Sequence, residues 1–252
     1  MLRKFLRPRA VVPSPAIPSG QRVYAVGDVH GCSALLDSLL ETISADDSVR
    51  GLAATTVIFL GDLVDRGPAS SDVVQRVLQF ARSGVDLRLL MGNHEEVFLA
   101  AIEGDEKALR LFCRIGGRET ALSYGILPAE YDRMDYPEVA AALAMSVPAT
   151  HRAFLASGLD MVVIGDYAFV HAGVHPKRPL DQQLGEDLRW IRGPFLDCRE
   201  RLDKMIVHGH TISETVEFQR HRIGIDTGAY LTGKLSAVGL ESDKAWTLET
   251  GG

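Results

Sequence analysis

Five short segments of the 252-residue sequence place Asp, Asn or His directly beside glycine. Glycine lets the backbone turn sharply and approach a ligand closely. Asp, Asn and His supply oxygen and imidazole ligands that suit divalent ions such as manganese, iron and zinc. The pattern therefore predicts a site for divalent metal ions. The segments are Gly-Asp-Val-His-Gly at 27–31, Gly-Asp-Leu-Val-Asp-Arg-Gly at 61–67, Gly-Asn-His-Glu at 92–95, His-Ala-Gly at 171–173 and His-Gly-His-Thr at 208–211.

Each of these segments follows a run of residues that is typical of a β-strand. Ligands of α/β proteins bind beyond the carboxyl ends of strands, so we expect the five segments to meet there. A single Gly-Asp or Gly-Asn pair is more often a plain turn, but five independent turns explain the full set poorly. The predicted strands are 22–27, 55–60, 86–91, a hairpin over 161–171 that turns at 165–166, and 205–208.

Helical spacing at 35–43 and 73–81 separates the first three strands, and this alternation indicates an α/β fold. The strands are almost continuously apolar, which favours burial on both faces. A helical insertion is predicted at about 96–159, and further β segments continue to the end of the chain. We expect one domain of two packed sheets with flanking helices over 21–252, preceded by a basic, proline-rich arm at 1–20.

The composition excludes several classes of protein. Lys and Arg number 27 and Asp and Glu 33, a formal net charge of −6, so no general affinity for nucleic acid or membranes is expected. The apolar runs are far shorter than the roughly 20 residues of a membrane span. Cys32, Cys113 and Cys198 fit neither a disulfide framework nor a metal ribbon. With no apolar signal core in the arm, these features predict a cytoplasmic protein.

In order and spacing, the five segments resemble the PPP-type calcineurin-like metallophosphoesterases. This superfamily includes Ser/Thr protein phosphatases and symmetrical diadenosine tetraphosphate hydrolases. The resemblance implies a four-layer α/β/β/α sandwich in which two mixed sheets are flanked by helices. Three less specific stretches resemble bacterial members, namely Gly-Gly-Arg-Glu-Thr at 116–120, Trp-Ile-Arg at 190–192 and Ile-Asp-Thr-Gly at 225–228.

The resemblance also implies two divalent metal ions, with manganese expected and iron or zinc as alternatives. Two ions held by only two carboxylates leave a positively charged site, which suits a hydroxide and a phosphate. The family pattern places one ligand after the glycine of His-Gly-His, which selects His210 over His208. The implied ligands are Asp28 and His30 for the first ion, Asp62 for both ions, and Asn93, His171 and His210 for the second.

The resemblance assigns roles to the residues beside these ligands. His94 would be the general acid that protonates the leaving-group oxygen, and Asp65 would pair with it, raising its pKa and fixing its tautomer. Arg66 and Asn93 would bind phosphate oxygens, and Arg192 is a further phosphate-binding candidate. The alternatives are a helix or turn cap for Asp65, a surface ion pair for Arg66 and an exposed side chain for Arg192.

Other polar residues near the segments have simpler interpretations. Glu95 is expected to order its loop or to cap the helix that follows, rather than to bind metal. Cys32 has no phosphate loop of the kind that serves a cysteine nucleophile, so it is interpreted as a small buried residue. His151, His175 and His221 lie in no motif.

The implied activity is hydrolysis of phosphomonoesters by direct attack of a hydroxide that bridges the two metal ions. The first candidate substrate is phosphoserine or phosphothreonine of a phosphoprotein. The alternative is a dinucleoside polyphosphate such as diadenosine tetraphosphate, for which the helical insertion would have to build a base pocket. A more remote alternative is a metal-binding scaffold without activity. No oligomeric state is predicted.

Overall fold

Two five-stranded sheets form the centre of the fold in the computed structural model, which describes residues 14–251. The strands in chain order are β1 (Gln21–Val26), β2 (Ala54–Phe59), β3 (Asp86–Leu89), β4 (Met161–Ile164), β5 (Tyr167–Val170), β6 (Met205–His208), β7 (Glu217–Phe218), β8 (Arg222–Gly224), β9 (Leu235–Glu241) and β10 (Lys244–Thr250). The first sheet has the order β10-β9-β1-β2-β3, and the second has the order β4-β5-β6-β8-β7.

Both sheets are mixed, as the resemblance implies. In the first sheet β1 is parallel to β2 and β2 to β3, whereas β9 is antiparallel to both β1 and β10. In the second sheet β5, β6 and β8 are parallel, and the edge strands β4 and β7 run antiparallel to their neighbours. The carboxyl ends of β1, β2 and β3 therefore share one edge, as do those of β5, β6 and β8.

Helices surround the sheets and form the insertion between β3 and β4. They are α1 (Ser33–Val49), α2 (Ser70–Arg82), α3 (Asn93–Ile102), α4 (Glu106–Ile115), α5 (Gly117–Ser123), α6 (Pro128–Tyr131), α7 (Tyr136–Ser146), α8 (Ala149–Ala156), α9 (Gly185–Trp190), α10 (Gly193–Leu196) and α11 (Ala229–Thr232). Within residues 14–251 no single helix has the length and apolar character to cross a membrane; α7 and α8 pass that test only as a pair, and they meet at a bend of 100°.

Three apolar clusters give the molecule four layers. Between the sheets, Ile58 of β2 packs in one cluster with Phe169 of β5. On the other face of the first sheet, Phe59 packs in a cluster with residues of α1, α2 and the insertion. On the outer face of the second sheet, Ile206 packs in a cluster with Phe195 of α10. The predicted α/β/β/α sandwich is confirmed.

The first long helix follows from the spacing of apolar residues. Leu36, Leu39, Leu40 and Ile43 are the buried residues of α1, and this spacing puts them on one face of a helix. The helix extends beyond the predicted 35–43 at both ends, because its outer turns are polar and show no apolar period. α2 likewise extends beyond the predicted 73–81.

Two local features differ from what the sequence predicts. α3 begins at Asn93, so Asn93 and His94 lie in the first turn of a helix rather than in the loop that precedes it. Residues 180–196 contain a 3-10 turn and the short helices α9 and α10, which the sequence does not indicate. Elements of one or two turns are too short to display a helical period.

The described part of the predicted arm, residues 14–20, packs on the domain. Ile17 is only 2% exposed, belongs to the cluster between the sheets, and donates its amide to the carbonyl of Ser242 at 2.8 Å. The amide of Ala16 donates to Oδ2 of Asp166 at 3.1 Å. Residues 1–13 lie outside the described residues, and the boundary at residue 20 stays a prediction.

Candidate metal centre and catalytic site

The structure brings together the six residues that the resemblance implies as metal ligands, and all six are buried. They lie where strands of both sheets end, the usual position of ligand sites in α/β proteins. In chain order they are Asp28 and His30 after β1, Asp62 after β2, Asn93 at the start of α3, His171 directly after β5 and His210 after β6.

The backbone of the site adopts strained conformations. Six non-glycine residues of the described chain have a positive φ, and five of them lie in the site. Such conformations are unfavourable for residues with a Cβ, and they persist where the surrounding structure holds them for a function. The five residues are His30 (46°), Asp62 (52°), Asp65 (71°), Arg66 (68°) and His210 (64°).

Two glycines leave the space that the carboxylates of Asp62 and Asp28 occupy. A Cβ at Gly92 would overlap Oδ1 of Asp62, and a Cβ at Gly209 would overlap Oδ1 of Asp28. Because any other residue would displace a carboxylate, glycine is needed at both positions.

Two clusters of possible metal ligands share Asp62. Within residues 14–251, ligand atoms of His30, Asp62 and His94 lie within 4.8 Å of one another, as do those of Asp62, His171 and His210. Nε2 of His30 is 3.5 Å from Oδ2 of Asp62, and Nε2 of His171 is 3.4 Å from Oδ1. The carboxylate therefore presents one oxygen to each cluster, as a bridging ligand must.

The third member of the first cluster is His94, whereas the resemblance implies Asp28 as the third ligand of that ion. Nε2 of His94 is 3.9 Å from Oδ2 of Asp62. Asp28 lies beside His210, whose amide donates to Oδ2 of Asp28 at 2.9 Å. The other oxygen of Asp28 accepts no hydrogen bond from any described residue. Asp28 therefore has an oxygen available to a metal ion, but the geometry does not by itself separate its role from that of His94.

Backbone carbonyls orient the imidazoles of the site. Nδ1 of His30 donates to the carbonyl of Val64 at 2.8 Å, and Nδ1 of His171 donates to the carbonyl of Leu60 at 2.7 Å. Such contacts leave Nε2 of each ring for a metal ion. Nε2 of His171 lies 2.9 Å from Oδ1 of Asn93, so these two candidate ligands face the same point.

Unpartnered buried atoms show that the site fits metal ions. Nε2 of His30, Nε2 of His210 and Oδ1 of Asp28 are buried and have no hydrogen-bond partner among the described residues. Buried polar atoms without partners are unfavourable, and a cation bound at each cluster would satisfy them. The mixed set of carboxylate, amide and imidazole groups suits divalent ions. Such ions, when bound, supply Lewis acidity that lowers the pKa of water and neutralises phosphate charge.

Burial keeps the imidazoles that could bind metal neutral. It lowers the pKa of His30 to about 3 and that of His210 to about 2, and it lowers the pKa of His171 as well. Burial would raise the pKa of Asp62, but the positive charge that the surrounding histidines carry when protonated at low pH outweighs it and holds the pKa below its usual value. The site thus combines neutral imidazoles with an ionised shared carboxylate, as metal binding requires.

His94 differs from these imidazoles in its protonation. Its Nδ1 lies 2.7 Å from Oδ2 of the buried Asp65. Burial alone would lower the pKa of His94, but the charges of Asp62 and Asp65 outweigh it and raise the pKa. Oδ1 of Asp65 accepts the hydroxyl of Thr120 at 2.7 Å, which gives the 116–120 stretch a physical role. The carboxylate of Asp65 is thus engaged by His94 and Thr120 rather than in a cap.

The two arginines differ in exposure and contacts. Arg66 forms no ion pair with a carboxylate of the described residues. Its NH2 lies 3.0 Å from Nε2 of His94, and its NH1 lies 3.2 Å from the hydroxyl of Tyr230. Arg192 is exposed at the start of α10, but its charge adds to the effect of burial in lowering the pKa of His210. Arg192 therefore lies near the second cluster.

His208 lies outside both clusters. Its ring centroid is 5.0 Å from that of Phe195, on the outer face of the second sheet. Its Nδ1 donates to the carbonyl of Gly209 at 3.0 Å, and its Nε2 is 3.4 Å from NH1 of Arg222. The structure thus brings His210, and not His208, to the shared carboxylate.

Glu95 orders the loop that follows β2. Its Oε2 accepts the amides of Asp62 at 2.7 Å and Gly92 at 3.1 Å. Its Oε1 accepts the amides of Leu63 at 2.7 Å and Val64 at 3.3 Å. Burial raises the pKa of Glu95 to about 7. Glu95 therefore connects the start of α3 to the backbone of Asp62.

Sequence reasoning missed two residues of the site. Asp226 is buried, and burial raises its pKa to about 6; its charge in turn adds to the burial that raises the pKa of Asp28. The ring of Tyr230 lies edge-on to that of His30, with centroids 5.3 Å apart. The stretch at 225–228 was a weak signal for Asp226, whereas nothing in the sequence pattern singled out Tyr230.

Residues 21–235 match the family model of the calcineurin-like phosphoesterases. The match covers most of the chain, so the chain belongs to this family, and the resemblance seen in its motifs is confirmed.

Three curated relatives are symmetrical bis(5'-nucleosyl)-tetraphosphatases. The protein of Paracidovorax citrulli is 44% identical over 88 residues, 35% of this chain and 29% of that protein. The protein of Acidovorax ebreus is 30% identical over 162 residues, 64% of this chain and 47% of that protein. The protein of Neisseria gonorrhoeae is 26% identical over 277 residues, 91% of this chain and 96% of that protein. The chain spans less than half the length of the first two relatives.

Solved structures share the fold at low sequence identity. A candidate diadenosine tetraphosphatase has a TM-score of 0.63 and 22% identity, with 95% of this chain and 99% of that chain covered. The cold-active protein tyrosine phosphatase of a psychrophilic Shewanella has a TM-score of 0.55 and 20% identity, with 94% and 82% covered. At these identities the likeness establishes the common architecture alone.

Proposed function

We propose that the chain hydrolyses phosphomonoesters with poor leaving groups, such as phosphoserine or phosphothreonine in a phosphoprotein. The observation that supports this proposal is the buried pair of His94 and Asp65, with 2.7 Å between Nδ1 and Oδ2. A serine alkoxide is a strong base and needs a proton as it leaves, whereas a nucleoside diphosphate leaves as a stable anion. A buried acid pair therefore contributes most when the leaving group is an alkoxide.

The proposed metal site takes two divalent ions, with Asp62 as the shared ligand. Manganese is the proposed metal, because Asp28, Asp62 and Asn93 supply the oxygen ligands that suit it; iron or zinc, which suit imidazole, are the alternatives. The remaining proposed ligands are Asp28, His30, Asn93, His171 and His210.

The other residues of the site have separate tasks in the proposed reaction. The guanidinium of Arg66 binds phosphate oxygens through its fork of donors, assisted by the amide of Asn93 and the charge of Arg192. In the free site Nε2 of His94 accepts a hydrogen bond from the guanidinium of Arg66 and carries no proton. A bound phosphate competes with His94 for this guanidinium, so Nε2 can take up a proton from the solvent and give it to the leaving oxygen. Asp65 holds Nδ1 and stabilises the protonated ring.

Symmetrical cleavage of a dinucleoside tetraphosphate is the second candidate function. The names of the curated relatives favour it, and the relative from Neisseria gonorrhoeae matches over 91% of this chain. For this substrate the acid pair would be of little use, which is the physical difference between the two candidates.

The variant His94→Asn tests the proposal on manganese-loaded protein. A neutral Asn cannot protonate an alkoxide, so we expect kcat on a phosphoserine peptide to fall by about 10²–10⁴-fold. The rate on p-nitrophenyl phosphate should fall much less, because p-nitrophenolate leaves without a proton. Metal content should be unchanged. Initial rates on both substrates and on diadenosine tetraphosphate, with metal analysis of each sample, provide the measurement.

A matched control is His151→Asn, which replaces a buried histidine of the insertion that bonds to Tyr124 and Gln75. This variant should leave the ratio of the two rates unchanged. Equal losses on both substrates, or loss of metal from His94→Asn, would contradict the proposed role of His94. A higher kcat/KM for diadenosine tetraphosphate than for the phosphopeptide would establish the second candidate. If no substrate is turned over, the third alternative, a metal-binding scaffold without activity, would be favoured.

A further inference from the structure

Arg66, the proposed phosphate-binding residue, is held by an aromatic side chain. Its NH1 donates to the hydroxyl of Tyr230 at 3.2 Å. Its Cζ lies 4.9 Å from the centroid of the Tyr230 ring, within the range of a cation–π contact. The Tyr230 ring thus lies near the charged guanidinium, and its hydroxyl accepts a hydrogen bond from the same group.

Tyr230 itself is fixed by its place in the chain. It lies on α11, which follows Gly228, a residue with φ of 68°. A Cβ at Gly228 would lie 3.0 Å from the side chain of Ile212, in the loop after β6. On its other side the Tyr230 ring meets the ring of His30. The segment that leads into α11 therefore lies against the loop after β6, and the Tyr230 ring contacts His30 after β1.

Tyr230 does not have the surroundings of a core residue. It is half-buried and belongs to none of the three apolar clusters of the described residues. Among residues 14–251, its hydroxyl forms a hydrogen bond with Arg66. Packing in the core therefore does not account for Tyr230, whereas its contact with the guanidinium of Arg66 can.

We propose that Tyr230 is a positioning residue for substrate binding, which holds the guanidinium of Arg66 in the orientation that receives the phosphate. This inference rests on the proposed function and adds to it a residue outside every motif of the sequence. An arginine side chain loses considerable rotamer freedom when it binds a ligand. A contact that orders the guanidinium beforehand removes part of that loss and strengthens phosphate binding.

The experiment measures binding of inorganic phosphate to manganese-loaded protein by calorimetry, together with KM and kcat on p-nitrophenyl phosphate. Tyr230→Phe removes the hydroxyl and keeps the ring. Loss of one hydrogen bond should raise the Kd of phosphate and the KM by about 2–10-fold, while kcat stays within about twofold. In an Arg66→Ala background the same substitution should have no further effect on phosphate binding, because the residue it positions is gone.

Tyr167→Phe is the matched control, since it removes a hydroxyl that donates to the carbonyl of Pro15, away from the site; its phosphate Kd should equal that of the parent. The inference is overturned by an unchanged phosphate Kd in Tyr230→Phe, or by an equal weakening in the Arg66→Ala background. Metal loss from Tyr230→Phe would also overturn it, because Tyr230 would then support His30. Absence of turnover by the parent protein would refute the proposed function instead. The phosphate Kd values from calorimetry would still test the positioning role of Tyr230.

Discussion

The two sheets contribute differently to the site. Among the described residues, the second sheet adds only neutral imidazoles to the two ligand clusters, from His171 and His210. The first sheet adds the shared carboxylate, the side chains proposed for proton transfer and those proposed for phosphate binding other than Arg192, which lies between β5 and β6 of the second sheet. Those side chains of the first sheet are Asp62, Asp65, Arg66, Asn93 and His94.

The two sheets thus differ in the two proposed tasks of the site, metal binding and proton transfer. The proposed metal binding needs both sheets, because Asp62 lies near His30 on one side and His171 on the other. The proposed proton transfer needs only the first sheet, because the His94–Asp65 pair and its partner Thr120 include no residue of the second sheet. Substitutions in the second sheet should therefore affect metal binding without altering the ratio of rates on substrates with poor and good leaving groups.

Asp62→Asn should have the largest effect, because this carboxylate serves both clusters. If each ion contributes roughly 3 kcal/mol to transition-state stabilisation, losing both lowers kcat/KM by about 10⁴-fold. Rates on p-nitrophenyl phosphate check this prediction. A variant that retains a tenth of the parent activity would show that Asp62 is not shared.

His210→Ala should have a smaller effect on activity and none on leaving-group preference. Loss of the second ion alone corresponds to about a 10²-fold fall in kcat/KM. The phosphoserine peptide and p-nitrophenyl phosphate should slow by the same factor, because the His94–Asp65 pair is intact. A changed ratio of the two rates would break the proposed separation between the sheets.

Glu95→Gln tests whether the loop after β2 must be held for metal binding. The amide nitrogen of Gln would face backbone N–H groups that now bond to a carboxylate oxygen, so the backbone of Asp62 should shift. We expect metal affinity to weaken by about 10–100-fold, the usual size of effects next to a metal ligand. Glu103→Gln, at an exposed end of α3, is the control. Unchanged metal titration curves for Glu95→Gln would contradict this role.

Ile17→Ala should have the smallest effect on activity, although it reaches the core between the sheets. Removing most of a side chain that is 2% exposed should lower the free energy of unfolding by about 2–5 kcal/mol. Metal content and kcat at low temperature should be unchanged, because Ile17 lies in neither ligand cluster of the described residues. Urea unfolding provides the measurement, with Val163→Ala, at 50% exposure, as control. Lost activity at unchanged stability would mean that residues 14–20 act on the site.

The fold and the convergence of the polar segments could be predicted because the relevant signals are local. Asp62 to Arg66 lie within one turn after β2, and Asn93 and His94 are adjacent, so the residue types and spacing of each segment already describe its geometry. The strands between the segments are short apolar runs, and their number and order suffice for a layered α/β fold.

What the sequence could not show depends on contacts between distant positions. Arg66 and Tyr230 are 164 residues apart, and no spacing rule connects them. Thr120 reaches Asp65 across 55 positions, so the stretch at 116–120 could be noticed but not explained. Ile17 lies in a proline-rich segment whose composition suggests exposure, and its burial depends on the gap between two sheets that only the folded chain forms.

If two metal ions share Asp62, each chain holds two ions, and the number of metal ions per chain can be counted. Purified apo-protein would be titrated with manganese by calorimetry, and the dialysed samples analysed by plasma mass spectrometry. We expect two ions per chain for the parent, one for His210→Ala and none above background for Asp62→Asn. A parent protein that saturates at one ion, or an Asp62→Asn variant that still holds two, would contradict it.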